Sequence, residues 1–144
     1  IQKDRLGSTA LTAAVQAPCC VLVLQRDRRL MPPVMVTYDG SPSARKALHI
    51  AARLARKNGG YLIVAVVAAT AEEEYRLQAD TADWLRRQGL LVRYTRLRQA
   101  NAGALVQALH AENNGALVLN GSLLHAAEIH KLLDRTDCPI LMVR

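Results

Sequence analysis

The stretch YLIVAVVA, residues 61–68, decides the architecture of this chain. It is apolar throughout, rich in β-branched residues, and shows none of the polar alternation of a strand with one wet face. A run of this kind predicts a strand covered on both sides, and such strands belong to parallel sheets flanked by helices. It is far shorter than the ~20 apolar residues that cross a bilayer.

Working outward, the same logic organises the rest. Upstream, VMVTY (34–38) reads as a second buried strand, stopped by Asp39-Gly40. Ser41-Pro42 reads as an N-cap followed by proline at the first helical position. The helix that follows places Ala44, Leu48, Ala51 and Leu54 or Ala55 on one face. Arg45, His49, Arg53 and Arg56 point largely the other way, and Asn58-Gly59-Gly60 closes it. Downstream, residues 71–88 predict a helix with Tyr75, Ala79, Ala82 and Leu85 inward. Its acidic start (Glu72 to Glu74) and basic end (Arg86, Arg87) suit the helix dipole. LLVRYTRL (90–97) alternates and reads as a more exposed edge strand. A short helix over 102–111 carries Leu105, Val106 and Leu109. ALVLN (116–120) is again a buried strand. A last helix, Leu124 to Leu133, turns Ile129, Leu132 and Leu133 inward, and a last strand covers 139–143. The order βαβαβαβαβ predicts a doubly wound α/β fold with a five-stranded parallel sheet and helices on both faces.

Composition limits the function. The chain has 144 residues, 51% of them apolar, with no Phe, one Trp and a net charge of +7. That charge favours anionic partners. The basic residues, however, are scattered over helices with no aromatic residues between them, which argues against a nucleic-acid stacking platform. No run is long enough to span a membrane, and there is no charged-then-apolar leader. The opening Ile-Gln-Lys-Asp reads as the start of a fragment. Cys19, Cys20 and Cys138 have no metal spacing and read as three buried, reduced thiols of a cytoplasmic protein.

The chain also repeats itself. APCCVLVLQ (17–25) is a near copy of TDCPILMVR (136–144). With Cys19 set against Cys138, Ala10, Ala13 and Ala14 fall opposite Ile129, Leu132 and Leu133. Val21 and Val23 fall opposite Ile140 and Met142. Both copies read as a helix followed by a strand, the pattern of a tandem duplication. The expected organisation is therefore three-part. Residues 1–26 are the closing helix and strand of a preceding repeat, 27–33 a linker, and 34–144 a complete domain.

These segments resemble one family. VMVTYDGSPSARKALHIAARLA (34–55) looks like the opening strand, Asp-Gly-Ser turn and first helix of the universal stress proteins. ALVLNGS looks like their fourth strand and the start of their phosphate loop. APCCVLVL and DCPILMV each resemble their closing strand. The resemblance implies strand order 3-2-1-4-5 for residues 34–144. It also implies that closing strands pair antiparallel about a two-fold axis, so that strand 20–24 lies along 139–143. That pairing would make either an intrachain pseudo-dimer or a homodimer, and an unpartnered edge is an aggregation hazard.

In such a sheet, ligands bind at the carboxyl ends of strands where the order reverses. Asp39 ends one strand there, and Gly121-Ser122 ends the other. Members of the family that bind ATP use an Asp at the place of Asp39, a main-chain contact at the place of Thr37, and a Val near Val66. Their loop reads Gly-x-x-Gly, then nine residues, then Gly-Ser. Here Gly121 matches the first glycine, Leu124 stands at the second, and Ala126-Ala127 replace Gly-Ser. The loop is also shorter. Leu and Ala lack the backbone freedom of glycine, so the triphosphate cradle looks dismantled. Gly7-Ser8 keeps the pair in the leading fragment. Asp39 also fits an Asx turn, Gly121-Ser122 a tight turn and cap, and His125, Glu128 and His130 a solvated surface.

No catalytic or metal residues are expected. The resemblance implies a non-catalytic module in bacterial stress response, with a degenerate nucleotide site, that associates through its last strand and meets a protein partner of unknown kind. Two other readings stay open: an adenine-nucleotide sensor holding ATP or AMP, and a weak ATPase.

Overall fold

A computed structural model describes residues 20–24, 32–113 and 115–144. The leading helix of the repeat, Cys19 and most of the 27–33 linker lie outside them. The described elements follow the expected order. They are β1 (Val21–Val23), β2 (Val34–Tyr38), α1 (Pro42–Lys57), β3 (Tyr61–Val67), α2 (Ala71–Arg87), β4 (Leu91–Leu97), α3 (Ala102–Ala111), β5 (Ala116–Asn120), α4 (Ala126–Arg135) and β6 (Ile140–Val143).

The six strands form one sheet in the order β1-β6-β5-β2-β3-β4. β2 to β6 are parallel and reproduce the five-stranded order. β1 is antiparallel to β6, with Val21 opposite Met142, Leu22 opposite Leu141 and Val23 opposite Ile140. β4 is the other edge, as its alternation suggested; its Leu91 is exposed. Among the described residues, no helix is long and apolar enough to cross a membrane.

Alternation along the buried strands divides the core into two. Val34, Val36, Tyr38, Leu62, Val64 and Val66 pack under α1 and α2. Met35, Ile63, Leu117, Leu119, Ile140 and Met142 pack under α3 and α4. α1 buries Ala44, Ala47, Leu48, Ala51, Ala52 and Ala55. With alanine at most of these positions the helix backbone lies close to the sheet. Gly115 shows the same closeness between loops: a Cβ there would come within 2.6 Å of the Pro33 nitrogen.

Three expectations need correction. The inward face of α2 is Leu77, Thr81 and Leu85, whereas Tyr75 is 76% exposed and Ala79 is exposed. Tyr75 lies two residues from Leu77, hence roughly on the opposite side of the cylinder. Alanines bury too little area to choose a face, so Leu77 and Leu85 decide it. Leu77 closes over the β2–α1 turn, where Gly40 adopts a φ of +85°. Cys20 is exposed on the edge strand, whereas Cys138 is buried as expected. Leu124 is buried but precedes α4, which begins at Ala126.

Candidate functional site

The sheet opens where the strand order reverses. β2 stays paired to β3 as far as Tyr38 opposite Val66. β5 stays paired to β6 as far as Asn120 opposite Val143. Between β2 and β5, the ladder stops at Val36 opposite Val118. Two residues of each strand therefore run on without a mutual ladder bond, and their carboxyl ends frame a crevice.

Asn120 fills the base of that crevice. It ends a strand that is otherwise Ala, Leu and Val, and it is fully buried. A buried carboxamide must find partners for its donors and its oxygen, and this one does. Its backbone N–H donates to Thr37 Oγ1 at 3.2 Å, replacing the missing ladder bond. Its Nδ2 donates to Ser41 Oγ at 3.2 Å. Its Oδ1 accepts from Ser43 Oγ at 2.7 Å, Ser122 Oγ at 2.8 Å and Ser122 N at 3.2 Å. The two serine oxygens are themselves 3.0 Å apart.

Asp39 closes the other side. Its Oδ1 accepts from Ser41 N at 3.0 Å and from Ser41 Oγ at 2.6 Å. The first of these bonds makes an Asx turn. Ser41 is the N-cap of α1, and its oxygen accepts from Ala44 N at 3.2 Å. One chain of polar groups thus runs Asp39, Ser41, Asn120, Ser43 and Ser122. Asp39 Oδ2 accepts no hydrogen bond among the described residues.

The loop after β5 determines what this arrangement can hold. Gly121 N donates to Val143 O at 2.9 Å, and Leu123 N donates to Asn120 O at 3.0 Å. With Ser122 N held by Asn120, all three amides at the head of the loop point inward. The side chain of Arg144 lies on Gly121: a Cβ there would meet its Cδ at 2.9 Å. Lys46 Nζ donates to Arg144 O at 2.7 Å. Each serine hydroxyl has one hydrogen, and those of Ser43 and Ser122 are directed at Asn120. The crevice therefore offers an incoming phosphate few free donors.

The expected site residues are thus partly united. Thr37, Asp39, Gly121 and Ser122 converge around Asn120. Val66 does not; its side chain is fully buried beside Tyr38 in the α1/α2 core. The resemblance implied a main-chain contact at Thr37, which burial of its side chain leaves untouched. Sequence reasoning missed Asn120, Ser43, Lys46 and Arg144. A lone Asn closing an apolar strand was the available signal for the first. His125 and His130 are exposed, as read, and His130 Nδ1 lies 3.4 Å from Asp134.

Comparisons with known proteins agree with this fold. The family model described as "Universal stress protein family" matches residues 31–119, ending just before Asn120. No curated protein matches the chain at a significant level. Among solved structures, a universal stress protein from Archaeoglobus fulgidus DSM 4304 superposes with a TM-score of 0.80 at 19% identity, over 96% of this chain and 54% of its own. The chain thus spans about half the length of that archaeal protein. A universal stress protein in complex with cAMP gives 0.63 at 23% identity, over 77% of this chain and 94% of its own. One from Archaeoglobus fulgidus in complex with dAMP gives 0.61 at 17% identity, over 81% of this chain and 100% of its own. At these identities the superpositions speak for the fold, and the family match covers well over half of the chain. With its parallel sheet, its Asp-Gly-Ser turn and its open switch point, the chain belongs to the universal stress protein family.

Proposed function

We propose that this chain is a non-catalytic stress-response module of the cytoplasm that works by association through its last strand, its crevice no longer built to cradle a triphosphate. One observation carries the second half of this reading. The amides of Gly121, Ser122 and Leu123, which would have to meet phosphate oxygens, donate instead to Val143 O, Asn120 Oδ1 and Asn120 O. Opening them to a ligand would break three internal hydrogen bonds, each worth about 1 kcal/mol net. Leu124 and Ala126-Ala127, in place of the family's glycines, point the same way.

The association half rests on the β1–β6 ladder. The superposition on the longer archaeal chain takes in nearly all of this one, whereas those on the two nucleotide complexes take in about four fifths. That difference supports reading residues 20–24 as the closing strand of a preceding repeat and 34–144 as the following domain. Whether the ladder forms within one chain or between two is decided by native mass measurement against concentration.

A second reading is an adenine monophosphate sensor. It is favoured by Asp39 Oδ2, which is available to a ribose hydroxyl, and by relatives whose structures hold cAMP and dAMP. Thermal melting with ATP, AMP and cAMP at millimolar levels separates the two. The first reading expects no shift with ATP. The sensor expects saturable stabilisation by a monophosphate, ~2.7 kcal/mol at a hundredfold excess over Kd, abolished by Asp39→Ala. Stabilisation by ATP beyond that by AMP would refute the degenerate-site reading. A weak ATPase would need phosphate release above that of a Gly121→Val control.

A further inference from the structure

A cleft of about 910 Å³ lies at the far edge of the sheet, away from the switch point. Its walls are the carboxyl end of β4 with the loop behind it, the outer face of α3, and Arg135 at the end of α4. The volume is within the range of small-molecule sites. The floor is mixed, with Leu97, Ala104, Val106 and Ala108 beside Gln99 and Gln107. None of the lining residues is acidic, and three are arginines.

Those arginines are not equivalent. Arg96 is held by Glu74, its Nη1 lying 3.3 Å from Glu74 Oε2. Arg98 and Arg135 form no ion pair among the described residues. Two guanidinium groups on the rim of one cleft, without a carboxylate, suit an anion.

The start of α3 adds a third donor. The first amides of a helix need partners from outside it. Ala102 N donates to Glu128 Oε2 at 2.9 Å, and Ala104 N to Asn101 Oδ1 at 2.8 Å. Leu105 N begins the intrahelical series by donating to Asn101 O at 3.2 Å. The remaining amide, that of Gly103, has no acceptor among the described residues, and Gly103 lines the cleft. Packing does not require glycine there. A Cβ would meet only Asn101 Oδ1, at an ordinary 3.5 Å, and the backbone is not left-handed. Gly103 is the second residue of α3 and leaves the backbone bare at the cleft wall.

We propose that this cleft binds a small organic anion, its phosphate or carboxylate head held by Arg98, Arg135 and the Gly103 amide and its apolar body lying on Leu97, Ala104 and Val106. This site is independent of the crevice around Asn120.

The test is amide-resolved NMR titration of the whole chain with 1-naphthyl phosphate and 1-naphthoate, which share a body and differ in the head group. Saturable shifts confined to Arg98, Gly103, Ala104 and Val106 support the proposal, and the tighter probe identifies the head group. Arg98→Gln and Arg135→Gln should each weaken binding about tenfold, and Asp39→Ala should leave it unchanged. Gly103→Ala is the sharper variant: it should raise the melting temperature yet weaken binding, a combination that misfolding cannot produce. Shifts that fail to saturate at millimolar probe, that spread over the surface, or that survive both arginine substitutions would overturn it.

Discussion

Leu22 lies opposite Leu141 at the centre of the β1–β6 ladder, and the same two residues are equivalent positions of the sequence repeat. Set on Cys19 and Cys138, the repeat matches Val21 to Ile140, Leu22 to Leu141 and Val23 to Met142. The ladder pairs Val21 with Met142 and Val23 with Ile140. Exchanging the two segments therefore maps the ladder onto itself, the property of a two-fold contact. A slip by one residue would move the two-fold axis off Leu22 and Leu141 and turn Val23 out of the core.

That register can be tested by charge. Leu22→Lys with Leu141→Lys places like charges directly opposite and should destabilise the fold beyond the sum of the single changes. Leu22→Lys with Leu141→Glu should recover part of the loss. A coupling of about 0.2–1 kcal/mol, read from denaturant melts as a double-mutant cycle, is expected. No coupling would place the strands in another register.

Asn120 should be the most sensitive polar residue of the crevice. Asn120→Ala removes the shared partner of Ser41, Ser43 and Ser122 while Thr37 keeps its backbone donor. A loss of about 2 kcal/mol is expected, read as a lower denaturation midpoint. Ser122→Ala, at an exposed position, should cost well under half of that.

The corrected face of α2 gives a paired prediction. Leu77 is 3% exposed and Tyr75 is 76% exposed. Leu77→Ala should cost about 2–4 kcal/mol, and Tyr75→Ser within about 0.5 kcal/mol of nothing. The reverse order in thermal melts would restore the face read from sequence.

Gly115→Ala should be worse than its size suggests. The added methyl would run into the backbone of Pro32 and Pro33, beside the bond from Ala116 N to Pro33 O at 3.0 Å. Backbone cannot turn aside as a side chain can, so a loss of at least about 2 kcal/mol is expected. Gly60→Ala makes a useful contrast. A Cβ there meets nothing within 4 Å, and only the left-handed φ of +76° opposes it.

Much of the fold was legible because each signal is local. The uninterrupted apolar run at 61–68 sufficed for a strand covered on both faces, and Ser41-Pro42 for the start of α1. The duplicated closing segment supplied a second copy of the last strand, and the resemblance to the universal stress proteins implied that the two copies pair antiparallel. Tyr75 misled because an amphipathic ring among alanines looks like the centre of a buried stripe. Cys20 misled because an edge strand has no described neighbour on its outer side.

By itself, then, the sequence determined the order of elements, the parallel sheet and the exposed edge at 91–97, all consequences of hydrophobic period and turn chemistry within short windows; the other edge followed from the resemblance to a family. Only the tertiary structure decided what the crevice contains. Ser43 and Asn120 are 77 residues apart, and Thr37 and Asn120 are 83. No pattern along the chain announces that these groups satisfy one another. The same holds for Gly121 N and Val143 O, and for Arg98 and Arg135 across one cleft. Hydrogen bonds need their partners within about 3 Å, and closure of the sheet is what brings such distant residues together.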